Sequence, residues 1–120
     1  LKKYGVEPSL LMTWAYKDKP EMTEGLASAY IAAGNRNGIM VLPVGLAFQR
    51  SQNDNPDIEL FTPDKRHPSK AGTYLMAAVI YASIYKVSPI GNSYDYGLDQ
   101  NIQNRLQKTA WETLSYYKSN

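Results

Sequence analysis

The sequence has no cysteine, and among its 120 residues there is a single histidine. The absence of cysteine excludes a disulfide-stabilised scaffold, a thiol nucleophile and a zinc ribbon. One histidine, His67, with no His-x-x-x-His pair also leaves too few good ligands for a metal-dependent hydrolase. We therefore expect no bound metal ion and no other cofactor.

Strong charge and long apolar runs are also lacking. The formal net charge is +2 and no basic run occurs, so the composition gives no reason to expect a nucleic-acid partner. No apolar stretch reaches the length of a membrane-spanning helix, so we expect no membrane span. The sequence begins at Leu1 without a signal peptide, and we expect it to be part of a longer polypeptide.

The first apolar segments predict a βαβ unit. Residues 8–16 and 39–44 are short apolar runs typical of buried strands. Between them, apolar residues recur at helical spacing from Met22 to Ala33, with Asp18 as the expected N-cap and Gly34 as the expected end. Strand, helix and strand at this length predict a parallel sheet and an α/β fold.

Three further helices are predicted in the remainder, over residues 44–52, 69–85 and 99–117. The second is apolar nearly all round, so other elements must cover more than one of its faces. We expect the last helix to supply part of that cover, after a turn-rich connection over residues 88–97.

Alternating polar residues at 53–59 resemble the ligands of a calcium loop. Ile58 occupies the sixth position, where an EF-hand turn needs glycine. The interpretation that we favour is a solvated loop without metal.

The one histidine lies in a short proline-flanked segment. Pro63 and Pro68 disfavour helix at the residue before each, and Ser69 is a natural N-cap for the following helix. Such a loop presents Asp64 and His67 together, so that the carboxylate accepts from Nδ1–H and Nε2 is free to take a proton. The simpler alternative is a surface turn with an incidental ion pair.

The pattern Asp64-x-x-His67-Pro68-Ser69, followed by Gly72 in an alanine-rich helix, resembles the last conserved block of the SGNH (GDSL-like) hydrolases. The predicted strand ends at residues 13–16 and 41–45 are similar to the later strands of that family. Residues 88–91 and 110–112 are similar to exported SGNH-type proteins of gut-dwelling bacteria. The resemblance thus implies export, to the periplasm, the cell surface or the medium.

The resemblance implies a flavodoxin-like three-layer α/β/α sandwich with parallel strands, of which this chain is the C-terminal half. Residues 1–120 then form one partial domain, with 89–120 as a C-terminal turn and helix extension. The implied activity is hydrolysis of acyl esters, such as acetylated carbohydrate, by a serine nucleophile. The implied roles are general base for His67 and orientation of the imidazole for Asp64.

The nucleophile block, the oxyanion glycine and the Gly-x-Asn-Asp block of that family are missing from the sequence. None of the serines lies in a Gly-x-Ser-x-Gly or Gly-Asp-Ser context. We expect the chain alone to be inactive, and to associate with a missing N-terminal half or with a second copy in a dimer. The alternative is a non-catalytic SGNH-like module for binding or assembly.

Three aromatic residues near predicted strand ends are candidates for the wall of a substrate pocket: Trp14, Tyr16 and Phe48. Core packing is the commoner role of such rings.

Overall fold

A parallel strand pair joined by a helix begins the fold. The structure is a computed structural model that describes residues 2–119, of which Lys2–Tyr4 form a single 3₁₀ turn. Strand β1 (Ser9–Leu11) pairs in parallel with β2 (Met40–Leu42), and helix α1 (Met22–Asn37) connects them. The predicted βαβ unit and the α/β class are confirmed at this level.

Both strands are shorter than predicted from residues 8–16 and 39–44. The amide of Met12 donates to the carbonyl of Leu42 at 3.0 Å, and the next bond, from Gly45 to the Met12 carbonyl, already belongs to the turn into a helix. Because helix α2 (Val44–Asp54) begins directly after β2, the residues beyond Met12 have no strand partner there.

Helix α1 starts and ends elsewhere than predicted. Glu21 occupies its N-cap without a side-chain bond, so the expected cap by Asp18 is wrong. The helix continues through Gly34 to Gly38, whose φ of 62° is left-handed and ends it. Gly34 lies inside because a Cβ there would sit 2.6 Å from Cγ2 of Val41, so packing on β2 requires glycine.

The core is built by α2 with helices α3 (Lys70–Tyr85) and α4 (Gln100–Ser119). Helix α3 packs against both of the others, which confirms that it is covered on more than one face. The side chains that fill the centre are Val44, Phe48, Leu60, Leu75, Val79 and Leu106. Phe48 is only 1% exposed, so its role is core packing and not the pocket wall.

The polar segment before α3 has exposed side chains, including Asp57 and Glu59, and is also tied to α4. The guanidinium of Arg105 donates to both oxygens of Asp57, at 2.6 and 2.9 Å, and its Nε donates to Oδ1 of Asn55 at 3.2 Å. Asn55 in turn donates to Thr109 Oγ1 at 3.1 Å. Within residues 2–119, no group of three or more His, Asp or Glu is arranged to hold a metal ion.

No helix in the described part of the chain combines the length and the apolar character that crossing a membrane requires.

Candidate active site

The acid–base loop, residues 60–69, is a small hairpin between α2 and α3. Phe61 and Pro68 form an antiparallel bridge. Thr62 N donates to the His67 carbonyl, and Ser69 N donates to the Leu60 carbonyl, each at 2.8 Å. These bonds hold the two ends of the hairpin together and so fix the position of its tip.

Asp64 is the centre of the loop. Its Oδ1 accepts from Thr62 Oγ1 at 2.8 Å, from Arg66 N at 2.9 Å and from His67 N at 3.0 Å. Its Oδ2 accepts from Nδ1 of His67. The pKa of Asp64 lies well below its ordinary value, first because of the backbone N–H of His67 and then because of its imidazole. Asp64 is therefore a carboxylate at neutral pH.

The same contact fixes the imidazole of His67. A carboxylate can only accept, so the bond requires a proton on Nδ1, and in the neutral imidazole the lone pair is then on Nε2. The His67 side chain is 78% exposed, and no described residue forms a hydrogen bond with Nε2. The contact with Asp64 thus orients an imidazole whose Nε2 can accept a proton.

Ser69 caps α3, as predicted. Its hydroxyl accepts from Gly72 N at 3.2 Å and donates to the Glu59 carbonyl at 2.8 Å. With both functions engaged, this hydroxyl is not available as a nucleophile. Gly72 lies against the loop so closely that a Cβ would meet the Leu60 carbonyl oxygen at 2.2 Å.

The chain after β1 runs along the acid–base loop and brings two predicted residues to it. Trp14 Nε1 donates to the Arg66 carbonyl at 2.8 Å, while the indole stacks on Phe48 with 5.1 Å between ring centroids. The Tyr16 ring lies under the Arg66 guanidinium, 4.8 Å from its central carbon. Trp14 and Tyr16 thus both contact Arg66, the residue that precedes His67, and their role as substrate contacts stays a prediction.

Sequence reasoning missed two members of this region. Glu59 forms an ion pair with Lys17 and accepts from Phe61 N at 3.2 Å, and the bond from Lys17 is the main reason that its pKa is lowered. The sequence analysis assigned Glu59 to a solvated polar loop and did not connect it with the Asp64–His67 segment. Arg66 was missed because its partners, Trp14 and Tyr16, are about fifty residues away, although its position next to His67 was a signal.

A groove of about 640 Å³ lies elsewhere, between α1, α2 and α4. None of its lining residues, which include Leu46, Arg50 and Tyr116, belongs to the acid–base loop. The candidate site is instead an open surface around the exposed imidazole.

These features define a small mixed α/β domain that carries an oriented Asp–His pair at its surface. No protein-family model matches the chain, and no curated protein matches it. Its fold is similar to the crystal structure of a DUF4886 family protein from Bacteroides uniformis ATCC 8492, with a TM-score of 0.81 and 21% identity over 92% of this chain. The chain spans 49% of the length of that structure. At this identity the likeness shows the fold alone.

Proposed function

We propose that this chain is the acid–base part of an SGNH-type serine ester hydrolase that acts on acyl esters such as acetylated carbohydrates. The observation that carries the proposal is the Asp64–His67 pair, in which four hydrogen bonds hold the carboxylate and Nε2 faces outward. The order of acid, base, proline, N-cap and tightly packed Gly72 in one segment adds to it.

The proposed reaction begins when Nε2 of His67 takes the proton of a serine hydroxyl from outside this chain. The serine oxygen attacks the ester carbonyl, and the tetrahedral intermediate collapses as Nε2–H protonates the departing alkoxide. Water then attacks the acyl-serine by the same route, releases the acid and restores the serine. Asp64 accepts from Nδ1–H throughout and stabilises the imidazolium.

The nucleophile and the oxyanion donors are proposed to come from a missing N-terminal half. Within the described residues, β1 and β2 pair only with each other, so each has an edge on which a further parallel strand can add. The missing half, or a second copy of the chain, would complete a three-layer α/β/α sandwich of the flavodoxin-like type. The similar solved structure is about twice as long as this chain, which agrees with a larger unit. Export is proposed on family likeness.

The test is hydrolysis of p-nitrophenyl acetate by the full-length gene product, beside its His67→Ala variant and this chain alone. We expect activity in the full-length protein, a loss of about 10⁴-fold in His67→Ala and none in the isolated chain. Lys108→Ala, at an exposed position of α4, is the control that should leave the rate unchanged. A folded full-length protein that hydrolyses none of a series of acyl esters would favour the non-catalytic binding or assembly module instead.

A further inference from the structure

Three contacts hold Arg66, the residue that precedes the proposed base His67, in a defined orientation. Its backbone N–H donates to Asp64 Oδ1 at 2.9 Å, and its backbone carbonyl accepts from Trp14 Nε1 at 2.8 Å. Its guanidinium lies over the Tyr16 ring, with 4.8 Å from the central carbon to the ring centroid. Cation–π stacking of this kind leaves the N–H edges of the guanidinium directed away from the ring.

The guanidinium has no acidic partner in residues 2–119. The ion pairs of this part of the chain use the cations of Lys17, Arg50, His67 and Arg105. The carboxylates nearest in sequence are engaged elsewhere, since Asp64 binds its own loop and Glu59 binds Lys17. Five donors of a planar cation are therefore presented without a counter-charge beside His67.

We infer that Arg66, supported by Tyr16, binds a carboxylate of the substrate, so that the ester is carried by an acidic sugar such as an acylated uronic acid. The inference rests on the proposed function and narrows its substrate class. A planar guanidinium matches a carboxylate with two parallel hydrogen bonds, and it does so better than a lysine can. Lys65, which precedes Arg66 and forms none of the ion pairs of the described residues, adds positive charge to the same loop.

Arg66 and His67 are consecutive residues whose Cα atoms are about 3.8 Å apart, so the proposed anion subsite and proton acceptor both extend from the tip of the acid–base loop. In a uronic acid the carboxylate and the acylated hydroxyls are on the same ring. Binding of the carboxylate by Arg66 would orient one of these esters towards Nε2 of His67.

A binding experiment tests the inference without turnover. The probes are methyl tri-O-acetyl-glucosiduronic acid and its methyl ester, which differ only in the charge of the carboxyl group. The full-length His67→Ala variant, studied by calorimetry at low salt, should bind the acid about tenfold more tightly than the methyl ester. Adding Arg66→Gln should abolish that preference, Arg66→Lys should keep only part of it, and Arg36→Gln on α1 should leave it intact.

Hydrolysis separates this inference from the proposed function. In the wild-type protein, kcat/KM for the acid should exceed that for the methyl ester about tenfold at low salt, and the preference should shrink with added salt. Charge-selective binding without hydrolysis of either probe would support the anion site and count against the esterase. Equal binding of both probes, or an Arg66→Gln variant that weakens both equally, would overturn the inference and leave Arg66 as a packing contact.

Discussion

Two exposed loops of this protein are ordered in opposite ways. The acid–base loop is held mainly by bonds between residues close in sequence, because Asp64 binds the backbone of Arg66 and His67, two and three residues along the chain. The connection between α3 and α4, residues 86–99, is held from α4. The Gln107 amide accepts from Gly91 N at 3.0 Å and donates to the Asn92 carbonyl at 2.9 Å.

The difference shows that the Asp64–His67 pair is oriented mainly by bonds that are local in sequence. Six consecutive residues, 62–67, contain the donors and the acceptor that define the acid–base loop. The connection depends on two amide side chains of α4, Gln103 and Gln107, and on the Tyr74 hydroxyl, which donates to the Tyr94 carbonyl at 2.8 Å. Substitutions in each region should therefore have effects of different kinds.

The largest effect is expected from Asp64→Asn in the full-length protein. An asparagine amide can donate towards Nδ1, which moves the imidazole proton to Nε2 and removes the base. We expect kcat for ester hydrolysis to fall about 10³- to 10⁴-fold. Thr62→Val, which removes only one donor to the carboxylate, is the matched control and should cost much less. Similar losses in both variants would mean that kcat depends on the hydrogen bonds within the loop and not on the tautomer of His67.

The Gly72→Ala variant tests the close packing of the acid–base loop on α3. Its Cβ would come within 2.2 Å of the Leu60 carbonyl oxygen, which is backbone and cannot turn away. We expect a loss of about 3 kcal/mol in the free energy of unfolding, measured in urea. Gly25→Ala is the control, because a Cβ there meets nothing within 4 Å, and it should add about 0.5 kcal/mol or more. A Gly72→Ala variant as stable as the wild type would contradict this packing.

The connection should be weakened by Gln107→Leu. The buried amide also donates to the Tyr74 hydroxyl at 2.9 Å, and leucine leaves the Gly91 N–H without its acceptor. We expect a loss of about 2 kcal/mol in stability but an unchanged kcat, since the acid–base loop does not use these bonds. Gln100→Leu, at an exposed position of the same helix, should change stability by less than about 0.5 kcal/mol. A fall in kcat for Gln107→Leu would show that the two loops are coupled.

The smallest effect is in the pH dependence of stability. In the folded protein the pKa of Asp64 lies below its ordinary value of 3.8. The ionised carboxylate therefore stabilises the fold above pH 3.8, and this contribution is lost as the pH falls further. Thermal unfolding between pH 6 and pH 2.5 should show a shallower acid decline for Asp64→Asn than for the wild type. Some decline will persist, because Arg105 lowers the pKa of Asp57 as well. Parallel curves would mean that the loop bonds contribute nothing to global stability.

Local signals in the sequence predicted local structure. Ser69 and the flanking prolines were enough to predict the cap of α3 and the meeting of Asp64 with His67. Apolar periodicity predicted the parallel βαβ unit.

Features that depend on distant partners were not predicted. The predicted end of α1 was wrong because Gly34 was interpreted as a stop signal. Its actual role is to allow close packing on Val41 of β2, which requires glycine inside the helix. The role of Asp57 was hidden because Arg105 is 48 residues away. The esterase activity and the missing half stay predictions.

The indole of Trp14 has a consequence for spectroscopy. It is half-buried on Phe48, and its N–H is bound to the loop carbonyl of Arg66, so its fluorescence emission should depend on whether these two contacts are intact. Trp111 on α4 is the second of two tryptophans in the sequence and can be replaced by phenylalanine. In that background a red shift of the emission would report the loss of these contacts, for instance in the Gly72→Ala variant, without an added dye and without a substrate.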